Sequence, residues 1–145
     1  MKCIIIPVLF LSLTLGAFAQ ADSNTSAKPV GFSSKKQARN VMLNGLKQGY
    51  WVEYYMKKRE GMVETKDTNA PYYKLTIYES GRPADTVKEY YKGGHKYLFT
   101  PYKDGKKNGK ELLYYEDGKV NVETIYKYGE KVSTKKYDED GNEVK

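Results

Sequence analysis

Cysteine is almost missing from this 145-residue chain: Cys3 is the only one. No intramolecular disulfide can form, and a cysteine-ligated metal site is excluded by count. Histidine is just as scarce. His95 stands alone, so a histidine metal cluster is excluded and a Ser-His-Asp triad has one place to form. His95 follows Gly93-Gly94, the setting of a solvated turn residue rather than a general base. Leu, Ile and Val are few beyond the N-terminus, and no segment after Gly45 carries an apolar stripe at helical spacing. That excludes a helical bundle and leaves too little aliphatic mass for a deep sandwich.

The one long apolar run is N-terminal. Lys2 is followed by residues 4–15 without a charge, ending in Gly16-Ala17-Phe18-Ala19. Ala17 and Ala19 give the small-x-small pattern of a secretory leader, with cleavage predicted between Ala19 and Gln20. The run falls short of the roughly 20 residues a spanning helix needs. An exported product is expected, in the periplasm, in the cell envelope or secreted. Cys3 leaves with the leader. So does Lys2, which reduces 25 Lys and Arg to 24 against 18 Asp and Glu, a net +6. Residues 20–40 are rich in Ser, Ala, Lys and Asn, with Pro29 and Gly31. They read as a flexible lead, with Phe32 its one residue able to anchor on a domain spanning 41–145.

What the chain has in excess is tyrosine: 15 residues, all between Tyr50 and Tyr137. A tyrosine ring fills apolar space while its hydroxyl stays in water, which suits a thin sheet with both faces partly wet. Glycine sets the period. Gly81, Gly93, Gly105, Gly118, Gly129 and Gly141 follow at steps of 12, 12, 13, 11 and 12. Tyr78, Tyr90, Tyr102, Tyr115 and Tyr126 each precede one of the first five by three residues. Asn44-Gly45, Asp104-Gly105, Asp117-Gly118 and Asp140-Gly141 are hairpin dipeptides, because both residue types tolerate positive φ. Segments such as residues 119–126 alternate at strand period: Val120, Val122, Thr124 and Tyr126 on one face, Asn121, Glu123 and Ile125 on the other. The expected fold is all-β, an antiparallel meander of about seven or eight short strands in one elongated, twisted sheet, with tyrosine ladders across it.

Asn44-Gly45-Leu46-Lys47-Gln48-Gly49-Tyr50-Trp51-Val52-Glu53-Tyr54-Tyr55 resembles the MORN repeat in its bacterial exported form. Residues 104–120 carry it again, with Gly105 and Gly109 standing for Gly45 and Gly49; residues 128–141 carry a weaker copy in which Ser133 takes the place of the second glycine. The resemblance implies stacked hairpins and a role in scaffolding or in binding proteins or lipids; some bacterial members are described as antitoxins. A repeat unit is then about 24 residues. Gly45 to Gly105 is 60, so the region between Met56 and Tyr72 is irregular.

No catalytic set, metal site or cofactor motif assembles from these residues. A pair of facing carboxylates would be needed for a hydrolase, but most acids sit beside turn glycines or alternate with lysine. Asp138-Glu139-Asp140-Gly141 lacks the distal glutamate of a calcium loop. The tyrosines are either the core of the sheet or a flat platform for a partner. Candidate binding residues are Trp51 with Tyr50, Tyr54 and Tyr55, and Tyr90, Tyr102, Tyr114, Tyr115 and Tyr126. The function expected is binding of a protein partner through a tyrosine-rich face or an edge strand. The alternatives are an anionic lipid surface met by lysine and tyrosine rows and an immunity-type protein that neutralises a toxin. Export argues against nucleic acid, although basic and aromatic residues together suit it. Lysine also protects sheet edges from aggregation.

Overall fold

The structure is a computed structural model that describes residues 31–56 and 63–145. The expected leader, its cleavage site at Ala19 and Gln20, residues 20–30 and the charged run 57–60 lie outside the described residues. The strands are β1 (Val41–Leu43), β2 (Leu46–Tyr55), β3 (Glu64–Thr65), β4 (Tyr72–Glu79), β5 (Arg82–Pro83), β6 (Val87–Tyr91), β7 (Lys96–Thr100), β8 (Tyr102–Lys103), β9 (Lys106–Lys107), β10 (Gly109–Tyr114), β11 (Val120–Lys127), β12 (Glu130–Tyr137) and β13 (Glu143–Val144). Eleven of them form one antiparallel sheet whose main path runs β1-β2-β4-β6-β7-β10-β11-β12-β13, and β8 and β9 pair as a separate two-stranded ladder. This is the all-β meander the turn spacing implies. Nine strands lie on the main path against the expected seven or eight, and the connections add four short segments: β3 on β2, β5 on β4, and β8 with β9.

Two kinds of turn alternate along the chain. At one margin of the sheet both turn residues have positive φ: Asn44 and Gly45 (49° and 77°), Ser80 and Gly81 (49° and 77°), Asp104 and Gly105 (53° and 74°), Tyr128 and Gly129 (51° and 96°). These are type I′ hairpins, whose twist matches that of the strands they join. At the other margin a single glycine is left-handed: Gly94, Gly118 and Gly141, at 87°, 90° and 91°. Each donates its amide to the carbonyl three residues back, at Tyr91, Tyr115 and Asp138. Gly93 lies in its turn, but its neighbour Gly94 is the left-handed residue. With Gly94 in place the steps from Gly81 become 13, 11, 13, 11 and 12. The irregularity seen in sequence also resolves. Gly45 to Gly81 is 36 residues and Gly81 to Gly105 is 24; the surplus twelve sit between β2 and β4.

The type I′ tips interlock. The Gly81 amide donates to the Lys47 carbonyl (2.9 Å) and the Gly129 amide to the Lys107 carbonyl (2.8 Å). The Gln48 side chain accepts the Ser80 amide (2.8 Å), as Asn108 accepts that of Tyr128 (3.1 Å). Gly81 lies against Leu46, Gly105 against Arg82 and Gly129 against Lys106, each the residue after the preceding tip. Gly49 and Gly109 pair with Tyr78 and Tyr126 across the ladder, which makes them equivalent positions.

Burial is concentrated in the first half. On one face of the sheet Tyr73, Leu75 and Ile77 cluster with Phe32, and Ala38, Tyr50, Val52, Tyr54, Ala84 and Tyr90 pack around them. Residues 31–40, part of the segment read as a flexible lead, lie on this face and are anchored by Phe32.

Candidate functional site

Tyrosine and phenylalanine recur at alternate positions of neighbouring strands, so they fall on one face and meet across the ladder. On the face carrying Phe32, Tyr73 stacks on Tyr90 with centroids 5.0 Å apart and planes 12° from parallel. Tyr90 meets Phe99 edge-on at 5.4 Å, and Phe99 meets Tyr114 at 5.5 Å. The row crosses β4, β6, β7 and β10 without a gap. At its first end Phe32 sets its ring edge-on to Tyr50 at 5.0 Å, and the Lys35 ammonium lies 4.5 Å from the Tyr73 ring centre. At its far end Lys96 lies 5.8 Å from Phe99 and 5.3 Å from Tyr114.

Residues 31–40 are tied down by few bonds. The Lys88 ammonium donates to the Phe32 carbonyl (2.8 Å). The amides of Arg39 and Asn40 donate to the Tyr50 carbonyl. The Asn40 side chain exchanges two hydrogen bonds with the Val52 backbone, both 2.9 Å. Between them a short 3-10 turn, Lys35–Gln37, is closed by a capping box in which Ser34 and Gln37 satisfy each other's backbone.

The opposite face holds buried charge. Glu53 is 4% exposed. Its Oε1 takes Lys47, and its Oε2 takes Lys74 (3.1 Å) and the Tyr78 hydroxyl (3.1 Å). Burial alone would raise this carboxyl, but Lys74 and Lys47 hold it below the ordinary carboxylate value. Burial alone would lower the Lys74 ammonium; Glu53 instead holds it well above its usual range. Burial pushes the Tyr78 phenol up to about 12, and Glu53 adds to the shift. A second cluster repeats the theme two units on. Glu111, 5% exposed, accepts from Thr100 (2.8 Å) and Lys107 (2.6 Å). Lys107 also lies over Tyr126, as Lys47 lies over Tyr78. Both oxygens of Glu53 are committed to strands β2 and β4, an arrangement that joins strands rather than exchanges protons with a ligand.

The sequence candidates are divided between the faces. Tyr50, Tyr54, Tyr90 and Tyr114 belong to the Phe32 face. Trp51, Tyr55 and Tyr126 belong to the charged one, by alternation along their strands and by their contacts with Tyr78, Lys74 and Lys107. Tyr102, in the separate β8-β9 ladder, is near enough to Lys107 and Glu111 to feel their charges. Trp51 is 9% exposed and its indole N–H donates to the Val41 and Gln48 carbonyls, both at 3.1 Å. Its place is in the packing of the first hairpin. Tyr115 sits at a turn and donates its hydroxyl to the Tyr137 carbonyl (2.8 Å). Sequence reasoning missed Phe99 and the buried threonines Thr76, Thr100 and Thr124. The threonines recur every 24 residues, two before Tyr78, Tyr102 and Tyr126, so the tyrosine period carried the signal.

Among the described residues no group of three or more His, Cys, Asp or Glu is placed to hold a metal ion. Against protein-family models, curated proteins and solved structures, the chain gives no match.

Proposed function

We propose that this chain is an exported, non-enzymatic repeat module of the MORN kind that binds a protein partner in the cell envelope through the aromatic face of its sheet. The observation that supports this most is the unbroken row from Tyr73 to Tyr114, buried at its two ends and half-buried at Tyr90 and Phe99 between them, with a stretch of the chain's own backbone laid across one end of it. A flat, rigid aromatic surface takes a partner at small conformational cost. The edges favour the face over strand addition. β1 and β13 are short, β12 carries a register shift opposite Ile125 and Tyr126, and Lys131, Lys135 and Lys136 line it, all of which discourage edge pairing.

The test uses the mature chain as bait in an envelope extract, with Tyr90→Ala and Phe99→Ala on the aromatic face and Tyr126→Ala on the other. One protein retained by wild type and Tyr126→Ala but lost by the first two supports the reading. A folded bait that retains no specific protein counts against it.

A lipid reading has one observation of its own. Val41, Met42, Leu43 and Leu46 of the first hairpin are 48%, 54%, 58% and 48% exposed, an apolar hairpin that follows the basic Lys35, Lys36 and Arg39 in the chain. Binding to anionic vesicles that weakens steeply with salt would favour it.

A further inference from the structure

Residues 31–40 lie on the aromatic face without belonging to the repeat. Phe32 is 1% exposed, yet it comes from an irregular stretch of chain, whereas its neighbours Tyr73, Leu75 and Ile77 come from β4. Everything it uses is supplied by the repeat: the apolar pocket, the ring faces of Tyr73 and Tyr54 for Lys35, the Lys88 ammonium for the Phe32 carbonyl, and the Tyr50 carbonyl for two amides. None of these contacts requires the incoming segment to be covalently joined to the sheet.

We propose that the Phe32 pocket is the partner-docking pocket, and that in the free protein the chain's own residues 32–35 fill it as a stand-in for the partner. The partner then offers an extended segment with an aromatic residue followed three positions later by a cation, as Phe32 is followed by Lys35. This rests on the binding-module reading above. The aromatic side chain takes the pocket beside Tyr50, and the cation takes the ring of Tyr73. Main-chain carbonyl recognition by Lys88 is indifferent to side-chain identity, so aromatic and cation carry the selectivity. The tethered segment competes at high effective concentration, which lowers the apparent affinity for anything else by the fraction of molecules in which the pocket is free. Residues 32–35 are held by one buried side chain, the Lys88 hydrogen bond and the Lys35 ring contacts. The turn that follows is exposed, and the Arg39 and Asn40 bonds hinge the segment at its far end, so it can swing out without unpairing a strand of the repeat.

The experiment uses full-length mature protein, wild type and Phe32→Ala, with a synthetic peptide of residues 31–40 as probe. The peptide is expected to bind Phe32→Ala at least about tenfold more tightly than wild type. A peptide with alanine for the phenylalanine should not bind, and one with glutamate for the first lysine should bind more weakly. In the extract, Phe32→Ala should retain more of the captured protein than wild type, and free peptide should elute it. Folding is checked by Trp51 fluorescence and the melting transition. If Phe32→Ala does not fold, Phe32→Leu keeps a smaller, weaker apolar anchor and gives the comparison in the same direction with a smaller gain. A folded variant that ignores the peptide overturns the proposal. A captured protein that the peptide does not displace also overturns it, while leaving the binding module standing. Peptide binding with no protein captured by any form removes the binding-module reading and the partner with it.

Discussion

β4 and β12 are both eight-residue strands of the same meander, each bounded at one end by a type I′ tip, yet they live in different surroundings. β4 is buried at Tyr73, Leu75, Thr76, Ile77 and Tyr78, on both faces, whereas seven of the eight residues of β12 are exposed. β4 has β2 and β6 on either side, Phe32 above and the Glu53 cluster below. β12 has β11 along one side, only two paired residues on the other, and no cover on either face. The contrast separates two properties that usually coincide. Turn chemistry and alternation specify a strand; burial depends on what is laid over it. β4 shows what a single-layer sheet needs in order to have a core: a segment folded back onto one face and paired charges closing the other.

The contrast yields a graded set of expectations. Phe32→Ala should be the most damaging single change, costing about 3–5 kcal/mol as a buried aromatic is truncated, and denaturant melts would read it directly. A loss below 1 kcal/mol would mean that β4 keeps its core without its cover. Glu53→Gln should cost about 2 kcal/mol: it leaves Lys74 buried without its counter-charge, while the partial exposure of Lys47 softens the effect.

The same pair gives a pH dependence. The Glu53 carboxyl is depressed below its ordinary 4.5, so its contribution is present above that pH and fades as pH falls through the folded value. Lys74 is raised from 10.5, so the pair is intact below that pH and is lost as pH rises further. Tyr78, moved from 10.0 to about 12, holds its proton more tightly when folded, which also removes stability as pH climbs between those values. Melting temperature should therefore be level between about pH 5 and 9 and fall at both ends. Glu53→Gln should flatten the acid limb; if the acid limb is unchanged, Glu53 is not its source.

Smaller effects belong to the turns. Gly105→Ala should cost about 1–2 kcal/mol, since φ is +74° and a Cβ would stand 3.0 Å from Arg82 Cδ. Gly141→Ala, with φ +91° and open space around it, should cost about 1 kcal/mol. Equal losses would show that the tip contacts add nothing. Val132→Ala on exposed β12 should stay within about 0.5 kcal/mol. Amide exchange ought to follow the same gradient, slowest in β2 and β4 and fastest in β12 and β13.

Much of this sheet is readable from glycine and tyrosine alone, because a turn that needs positive φ admits few residues and a thin sheet must fill its faces with rings. The two turn classes were hidden by the Gly93-Gly94 pair, where choosing the wrong neighbour evens out a 13/11 alternation into apparent twelves. The division of Trp51, Tyr50, Tyr54 and Tyr55 between two faces follows from strand period, but their closeness in sequence suggested one patch. Glu53 and Glu111 looked like members of a solvated charge pattern, since nothing local says that Lys74 or Lys107 will reach them from elsewhere. The seat of Phe32 was the least legible: a lone aromatic in a Ser- and Lys-rich stretch indicates that it can anchor, and only the assembled face of β2, β4 and β6 shows where.

The interlocking tips have a consequence for how such a chain can change length. Gly81 is followed by Arg82 and Gly105 by Lys106, at the same place in the same turn, 24 residues apart. Excising residues 82–105 would join Gly81 to Lys106. The tip at Ser80-Gly81 would still grip Lys47 and Gln48, and the tip at Tyr128-Gly129 would still meet Lys106, Lys107 and Asn108. The seam is the same on both sides of the cut, so the gene can lose or duplicate this cassette in frame with every junction already fitted, and the width of the aromatic face becomes a matter of copy number.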